Sequence, residues 1–477
     1  MSEYRHGAYA DPEASRDYVS PPGIGTIPVY VGRAPVHQLA DYAGRKDVPL
    51  LINSYNDAIQ QIGYSDDWEN YELSEAVYAH FKNNVQSVGP IVVINAMDPE
   101  TGKGAQTKSV EVQFSKRRAT IRTSTAILST LALADKTADV DYTAVYSADG
   151  MSVQLTDLKG GLSSVTVTYS EVDPASVTEE DVVDALVLGL KRVYYDLGEV
   201  PTILCAPGWS EKRVVYEALV ASAEKVNGHW YAYVNADLDC RTAKTISAAI
   251  DAKAAYETEA GTVSLLWPRG KKGTRVFHAS VLNTVTMQRV DYGNGNVPYE
   301  TPSNKRVDID SMCLADGTPI QYDQEDANLL NAAGIDTMTF WEGTWRMWGS
   351  HTAAFSHDKV MNDRRDIFDV NVRMVRYVAN LFQRRYGDEV DKPMKRSRKD
   401  TMLNDFQAQL DAMISDGALL LGTIEFEEGK NSLDDMVEGN FVFTTEISNP
   451  VPGKNLTTSV RWTSEGLLLI FGGDENE

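Results

Sequence analysis

The sequence predicts a multidomain protein of mixed α/β and α+β class. Short apolar runs of strand length alternate with amphipathic segments of helical spacing. A block rich in Thr, Ser, Val and Gly interrupts this alternation and indicates an inserted β-rich domain. At 477 residues, the chain is too long for one ordinary hydrophobic core, so two to four domains are expected.

The first part of the α/β core is predicted for residues 23–97. Ile27 to Val31, Val48 to Ile52 and Ile91 to Ile94 are apolar runs typical of buried strands. Between them, Ser54 is placed to cap a first helix, and the segment LSEAVYAHF repeats apolar residues at the four-residue spacing of a second helix. This order of elements is typical of an α/β protein.

The inserted β-rich domain is predicted for residues 98–174. The segments VEVQF and SSVTVTY alternate polar and apolar residues with the period of a half-buried strand, and the pairs DG and GG mark turns between strands.

The α/β core continues over residues 175–350, and a C-terminal domain follows over residues 351–462. Within the core, Ser210 is expected to cap a helix, and a hairpin is expected to turn at Glu342 and Gly343. A long amphipathic helix is predicted from Asp363 to Tyr386.

Both ends of the chain are predicted to be extended arms. Residues 1–22 are polar and lead to a Pro-Pro-Gly turn, whereas residues 463–477 carry the apolar run LLLIF. Asn455 to Trp462 and Leu467 to Phe471 are both expected to be strands, and the second shows no alternation, so both of its faces need cover. No later strand in the chain can pair with it.

Composition limits the classes of function. The formal net charge of −23 disfavours binding to nucleic acid and to anionic lipid, and no run of 18 apolar residues predicts a membrane span. The first 20 residues lack the apolar core of a signal peptide, so folding in the cytoplasm is expected. Cys205, Cys240 and Cys313 are odd in number and widely spaced, which favours a reducing compartment.

No catalytic, cofactor-binding or metal-ligating residue is predicted. The phosphate loop and the G-x-S-x-G and G-x-G-x-x-G motifs are absent from the sequence. Cys205 lies inside an apolar run and is expected in the core. Asp308 and Asp310 could form a metal-binding pair, but a solvated strand face explains them as well. His351 and His357 have no carboxylate placed to share a metal with them.

Two features suggest a binding surface. Three tryptophans and Phe340 lie around the predicted hairpin, where they could stack on a sugar or pack a subunit contact. Basic residues are concentrated between Arg384 and Lys399, which favours contact with an acidic partner, although a solvated loop is also compatible. The basic residues of this stretch are Arg384, Arg385, Lys392, Lys395, Arg396, Arg398 and Lys399.

Several segments in a fixed order resemble the contractile tail sheath family of contractile phage tails, phage-tail-like bacteriocins and related injection systems. The matching segments are Val48 to Gly63 followed by Leu73 to Phe81, then Ile203 to Gly208, Pro302 to Lys305, Leu329 to Ile335, Trp348 to Thr352, and the helix from Asp363. The family commonly places an Arg-Thr pair after Trp-Gly, whereas this chain has His351 at the Arg position.

The resemblance implies a structural subunit and not an enzyme. Such subunits form stacked hexameric rings around an inner tail tube, and contraction of the sheath drives the tube through a target cell envelope. Their partners are further copies of the subunit, the tube protein, and the baseplate and terminator or collar proteins. The implied location is the bacterial cytoplasm during assembly, and then the virion or injection-particle tail.

The resemblance also assigns roles to residues. The arms would donate strands to neighbouring subunits, the inserted domain would lie on the outer surface, and the C-terminal domain would face the tube. The implied strand-donating residues are Leu467, Leu468, Leu469, Ile470, Phe471, Tyr4, Tyr9 and Tyr18. The basic residues between Arg384 and Lys399 are the candidate tube contact.

Two other functions fit parts of the sequence. A metal-dependent α/β enzyme would use Asp308 and Asp310 but leaves the arms unexplained. A non-contractile surface-binding module would use the inserted domain and the tryptophans, and it predicts a monomer or a small closed oligomer.

Overall fold

An eight-stranded sheet lies at the centre of the protein. The structure is a computed structural model and describes residues 25–100, 108–256 and 260–471, without the side chains of residues 468, 469 and 471. The predicted N-terminal arm, with Tyr4, Tyr9 and Tyr18, lies outside the described residues, as do residues 472–477.

The described strands, in chain order, are β1 (Pro28–Gly32), β2 (Pro49–Ile52), β3 (Ile91–Asn95), β4 (Lys108–Gln113), β5 (Arg118–Ile121), β6 (Ala132–Leu133), β7 (Tyr142–Tyr146), β8 (Val153–Asp157), β9 (Ser164–Tyr169), β10 (Ile203–Cys205), β11 (Tyr233–Asp237), β12 (Val263–Leu266), β13 (Arg269–Lys272), β14 (Arg275–Phe277), β15 (Ser311–Cys313), β16 (Pro319–Ile320), β17 (Ile335–Trp341), β18 (Thr344–Trp348), β19 (Leu421–Glu425) and β20 (Thr444–Ser448). The described α-helices are α1 (Tyr55–Ile62), α2 (Glu72–Phe81), α3 (Glu179–Arg192), α4 (Arg213–Glu224), α5 (Ile246–Tyr256), α6 (Ala279–Gly293), α7 (Gln324–Ala332), α8 (Asp369–Tyr386), α9 (Arg396–Ser415), α10 (Leu433–Val437) and α11 (Glu465–Phe471).

The central sheet has the order β18-β17-β12-β11-β10-β1-β3-β2. Its six inner strands are parallel, and the two edge strands, β18 and β2, pair antiparallel with their neighbours. Side chains along β1 alternate between the two faces: Val29 and Val31 contact the cluster that contains α3, α4 and α5, whereas Tyr30 contacts the cluster of α1, α2 and α6. Helices therefore cover both faces of the sheet.

The segment between β3 and α3 forms two small antiparallel sheets. Their strand orders are β4-β9-β6 and β5-β8-β7, and the inward side chains form a hydrophobic cluster around Leu155 and Val167. Alternation along β9, where Val167 and Tyr169 are buried and Thr166 is exposed, explains why the sequence indicated strands here.

The C-terminal part consists of α8, α9 and the two-stranded sheet β19-β20. Phe406 and Leu410 of α9 are fully buried against Met374 of α8 and Ile424 of β19. The predicted long helix is confirmed from Asp369 to Tyr386, but not from Asp363: Arg364–Ile367 form a separate 3₁₀ turn, and Phe368 between the two is extended. None of the helices in the described part of the chain is long and apolar enough to span a membrane.

Three sequence-based expectations about local structure are wrong. Leu467 to Phe471 belongs to the helix α11 and not to a strand, and Asn455 to Trp462 forms no strand in this single chain. Ser210 does not cap a helix; α4 begins only at Arg213, and the Ser210 hydroxyl accepts a hydrogen bond from the backbone N–H of Asp237 at 3.1 Å.

Candidate assembly surfaces

The crevice where open α/β sheets commonly bind ligands is filled here by protein side chains. The strand order reverses at β1, which lies between β10 and β3, and Arg33 follows directly after β1. Arg33 forms a partly buried ion pair with Glu72, donates to the carbonyl of Pro174 at 3.0 Å, and lies 5.3 Å from the ring centroid of Trp209. This arrangement fixes the loop after β1 and leaves the crevice occupied.

A second buried polar cluster lies at the same edge of the sheet. The Nδ1 atom of His278 lies 2.7 Å from Glu75 Oε2, and Arg269 donates to Glu211 at 2.7 Å. Burial lowers the pKa of His278 to about 4, with a further contribution from the nearby Arg269 charge, and burial raises the pKa of Glu75 to about 8. The histidine and Glu75 therefore form a buried hydrogen-bonded pair that joins α2 to the start of α6.

The residues considered for chemistry have structural partners. Cys205 is fully buried, as predicted, and burial raises the pKa of its thiol well above the ordinary value. Asp308 accepts a hydrogen bond from the backbone N–H of Asn84 at 2.7 Å and forms an ion pair with Lys272. Asp310 accepts a hydrogen bond from the backbone N–H of Gly273 at 2.8 Å. Neither aspartate lies on a strand, so the expectation of a shared strand face is wrong.

Within residues 25–100, 108–256 and 260–471, no group of three or more His, Cys, Asp or Glu side chains is placed to hold a metal ion.

His351 is buried, and its ring packs against two aromatic side chains. Its ring stacks on Phe355 at 3.7 Å between centroids and lies 5.2 Å from Phe368, and its Nδ1 atom is 3.0 Å from the carbonyl of Ile367. Burial lowers the pKa of His351 to about 4, so the ring is neutral at pH 7. At this position the chain carries a neutral packed ring, where an arginine would carry a charge.

The predicted hairpin is confirmed, and its tip is apolar. β17 and β18 are joined by a turn at Glu342 and Gly343, and the side chains of Phe340 and Trp341 next to this turn are 57% and 50% exposed. Trp345 is instead fixed by a 2.9 Å hydrogen bond from its indole N–H to the carbonyl of Asp310. The tip is a candidate contact surface, and the rest of the hairpin is structural.

The basic stretch from Arg384 to Lys399 includes the end of α8, the connection between the two helices and the start of α9. Arg385 on the last turn of α8 makes a two-point ion pair with Asp405 at 2.6 and 2.7 Å, and Glu389 accepts from Lys392 at 2.9 Å. The expected solvated loop is thus confined to the residues between Tyr386 and Arg396, because α9 already begins at Arg396.

The exposed part of this stretch surrounds an open cleft of about 650 Å³. Its lining includes Arg385, Lys395 and Arg398 together with the acids Glu389 and Asp405. The side chain of Arg396 is 93% exposed, with Asp400 at 3.9 Å, so its charge faces solvent. Arg385, Lys395 and Arg398 line this cleft, and with Arg396 they form a basic corner between α8 and α9 that acids of the same chain partly neutralise. The structure does not bring all seven predicted residues together, since Arg384 lies near Glu199 instead.

The chain after β20 is exposed along most of its length, although Lys454 lies 5.3 Å from the ring centroid of Phe355. Every described residue from 453 to 467 is exposed, and residues 449–463 form no helix or strand. The large apolar side chains of Leu456, Val460 and Trp462 are 90%, 86% and 83% exposed. Exposed apolar residues at this density indicate a surface that a partner covers.

Helix α8 holds the bases of both terminal segments. Arg373 forms a buried ion pair with Asp291, whose carboxylate also accepts a 2.6 Å hydrogen bond from the hydroxyl of Thr26 at the start of the described chain. Two residues earlier on the same helix, the side chain of Asn371 accepts a 3.0 Å hydrogen bond from Asn449, which begins the C-terminal segment. Sequence reasoning missed this junction, because no local motif marks contacts between residues so far apart in the chain.

No family model matches the chain, but tail sheath proteins of two phages are similar to it. The chain is 24% identical to the tail sheath protein of Burkholderia phage BcepMu over 477 residues, which covers 94% of each protein. It is 23% identical to the tail sheath protein of Escherichia phage P2 over 275 residues, which covers 57% of this chain and 66% of that protein.

Solved structures have the same fold. A chain of the anti-feeding prophage baseplate superposes with a TM-score of 0.58 at 15% identity and covers 96% of this chain and 98% of that one. A chain of the contracted sheath complex of PVC, an extracellular contractile injection system, gives a TM-score of 0.55 at 12% identity and covers 98% and 99%.

Proposed function

The chain belongs to the contractile tail sheath family, and from this premise we propose that it is the structural subunit of a contractile sheath. It polymerises as stacked hexameric rings around an inner tail tube, and contraction of the polymer drives the tube through a target cell envelope. The observation that carries this proposal is the match to a phage tail sheath protein along 94% of both chains. The role is mechanical and not enzymatic.

Subunits are joined by donated chain ends. The exposed segment after β20 supports this step, because the apolar side chains of Leu456, Val460 and Trp462 lie in solvent in a single copy. Burying three such side chains against a neighbour contributes about 5–9 kcal/mol before entropic costs. The residues Asn455 to Trp462 therefore replace Leu467 to Phe471 as the proposed donated strand; any contact of Leu467 to Phe471 with a neighbour stays a prediction.

The sheath changes length by movement of rigid subunits about these joints. Helix α8 holds Thr26 through Arg373 and Asp291, and holds Asn449 through Asn371, so both arms start from one rigid element. When subunits rotate, the geometry between the two arm bases is kept. Contraction then draws its free energy from two packings of the same interfaces, as in other rigid-body switches.

The basic corner between α8 and α9 is the proposed contact with an acidic inner tube. The cleft beside Arg385, Lys395 and Arg398 could accept a carboxylate side chain, and Arg396 presents its charge to solvent. Because acids of the same chain already offset part of this charge, each single subunit binds the tube only weakly. Repetition along the polymer makes it strong.

The remaining partners follow from the family. The first and last rings of the sheath contact the baseplate and the terminator or collar proteins, and neither nucleic acid nor membrane is bound directly. Subunits assemble in the bacterial cytoplasm and end in the tail of a virion or injection particle. The β-rich segment between β3 and α3 lies on the outer surface, away from the tube.

Electron microscopy of the purified protein tests this function. In negative stain, at high protein concentration or with added tubes, the chain is expected to form long, hollow, striated cylinders. Uniform small particles under all these conditions would argue for a closed oligomer and against a sheath.

A further inference from the structure

Three carboxyl groups are buried where helix α8 meets the central sheet. Asp369 begins α8, Asp336 lies in β17, and Asp291 lies near the end of α6. The backbone N–H of Asp369 donates to the carbonyl of Ser350 at 3.1 Å, and a Cβ atom on Gly349 would lie 2.2 Å from Asp336 Oδ1. The bend at residues 349 and 350 thus brings Asp336 to the start of α8.

Only two cations act on these three carboxyl groups. Arg373, one turn after Asp369 on the same side of α8, forms the buried ion pair with Asp291. The ammonium group of Lys253 on α5 acts on Asp336. Negative charge without a partner is strongly unfavourable in a site closed to water, so the surplus carboxyl group holds a proton.

The proton that exchanges near neutral pH lies on Asp369. Burial raises the pKa of Asp369 to about 7, although the charge of Arg373 acts to lower it. Burial raises the pKa of Asp336 well above its ordinary value, and the charge of Asp369 adds to this rise, so Asp336 keeps its proton. Burial lowers the pKa of Lys253 to about 8, which leaves it a cation at neutral pH.

The other titratable groups around the cluster keep one charge state near neutral pH. Burial raises the pKa of Tyr233 on β11 well above its ordinary value and that of Tyr377 on α8 to about 12. Burial lowers the pKa of His351 to about 4. Burial acts to raise the pKa of Glu300, but hydrogen bonds from a neighbouring lysine and asparagine lower it.

We propose that Asp369 is a proton-dependent lock that fixes helix α8 to the central sheet. With its proton, the carboxyl group is neutral, accepts a 3.3 Å hydrogen bond from the Thr301 hydroxyl, and leaves Arg373 to Asp291. Without its proton, Asp369 competes with Asp291 for one guanidinium, and α8 opens more easily. Because α8 holds the bases of both terminal segments, acid strengthens this joint.

The sign of the pH dependence follows from the two states of Asp369. When α8 opens, Asp369 meets water, where its pKa returns to about 3.9. Between about pH 4 and about pH 7, opening therefore releases a proton, and the opening constant rises about tenfold per pH unit. The lock is complete below about pH 4 and is lost as pH rises through about 7.

Hydrogen exchange of the α8 amides tests the lock in the purified subunit. Asp369→Asn supplies a neutral group of the same shape, and Asp388→Asn, at an exposed position just after α8, is the matched control. The ratio of opening constants between the unmodified chain and Asp369→Asn is expected to rise about tenfold per pH unit between about pH 4.5 and about pH 6.5, while the control ratio stays near one. A ratio for Asp369→Asn that does not change with pH would overturn the proposal.

Infrared spectroscopy of the unmodified chain with ¹³C-labelled aspartate gives a readout that does not depend on a variant. One protonated aspartate is expected to lose its carboxylic acid band between about pH 6 and about pH 8. No loss of such a band would overturn the proposal even if Asp369→Asn failed to fold.

The effect on assembled cylinders is the one consequence that rests on the proposed sheath function. Dissociation of cylinders in urea is expected to be several-fold slower at pH 6 than at pH 8, and Asp369→Asn is expected to reduce this difference. The same pH dependence in both proteins would overturn the link between the lock and the arms. Absence of cylinders from the unmodified chain would contradict the sheath function, whereas the exchange and infrared results would still decide the lock.

Discussion

Arg373 of α8 and Asp291 of α6 form a fully buried ion pair, and Thr26 donates to the same carboxylate. The pair joins the C-terminal part of the chain to the central sheet at the point where the described chain begins. Burial of both charges makes each dependent on the other, because an unpaired charge in this environment is strongly unfavourable.

Asp291→Ala is expected to lower the free energy of unfolding by about 3–5 kcal/mol, because it leaves the Arg373 charge buried without its partner. Urea denaturation at pH 7 measures this loss. Glu217→Ala is the matched control, since it breaks an exposed ion pair with Arg213 whose side chains are both 59% exposed. The control is expected to cost less than about 1 kcal/mol, and equal effects in both variants would contradict the assigned role.

Gly349→Ala is expected to destabilise the protein strongly. The backbone φ of Gly349 is +137°, and a Cβ atom there would lie 2.2 Å from Asp336 Oδ1. We expect a loss of about 4 kcal/mol or more, measured as a fall in the thermal unfolding midpoint.

Gly343→Ala measures the cost of backbone strain alone, without the steric clash that a side chain at Gly349 would cause. Gly343 also has a positive φ, +76°, but a Cβ atom there meets no atom within 4 Å. Its cost is expected to be only about 1–2 kcal/mol, from the left-handed backbone alone. If both variants lose the same stability, the contact between Gly349 and Asp336 is not the reason for this glycine.

Buried histidines predict a loss of stability in acid. Burial lowers the pKa of His37 to about 4, against about 6.5 in an unfolded chain. The unfolded state therefore binds more protons, so the contribution of His37 is complete above pH 6.5 and is lost as pH falls toward 4. His37→Gln is expected to reduce the slope of unfolding free energy against pH by about 1.4 kcal/mol per pH unit in this window.

The measurement is urea denaturation at several pH values between 7 and 4. The control is His357→Gln, since His357 lies exposed on the surface. An unchanged slope in the His37 variant would show that this ring takes up its proton in the folded state as readily as in the unfolded chain.

Charge reversal at the basic corner is expected to weaken assembly on tubes without unfolding the subunit. Lys395→Glu with Arg396→Glu changes two exposed side chains beside the cleft between α8 and α9. The amount of sheath that sediments with purified tubes is expected to fall several-fold at low salt, while the thermal midpoint stays the same. For the unmodified chain, the same amount is expected to fall as salt is raised.

The control for this change is Arg213→Glu with Lys225→Glu, at the two ends of α4. It changes the net charge of the protein by the same amount as the reversal at the basic corner. Both positions are exposed. If this control weakens tube binding as much as the change at the basic corner, the effect is one of total charge and the corner is not the contact.

The sequence predicted those parts of the fold whose residues carry a local signal. The alternation of β4 and β9 and the capping residue Ser54 correctly marked two strands and a helix start. Helix α6 was missed because it is buried on nearly every side and has no polar face to reveal its period. A helix buried in this way cannot be distinguished from other apolar segments by pattern alone.

The candidate site shows the same limit. The run LLLIF reads as a buried strand, yet in a single chain it forms α11, since helical hydrogen bonds satisfy its backbone locally when no strand partner is present. The bases of both arms on α8 depend on contacts between residues 82 and 78 positions apart in the chain. Contacts of this range leave no periodic mark in the sequence.

Two truncations test most directly whether residues 455–462 join the subunits. Removal of residues 464–477 keeps this segment and is expected to leave cylinders that form and shorten. Removal of residues 455–477 is expected to leave folded single subunits in analytical ultracentrifugation, with an unchanged thermal midpoint. If the longer truncation still builds ordered cylinders that contract, the joining of subunits by this segment is wrong.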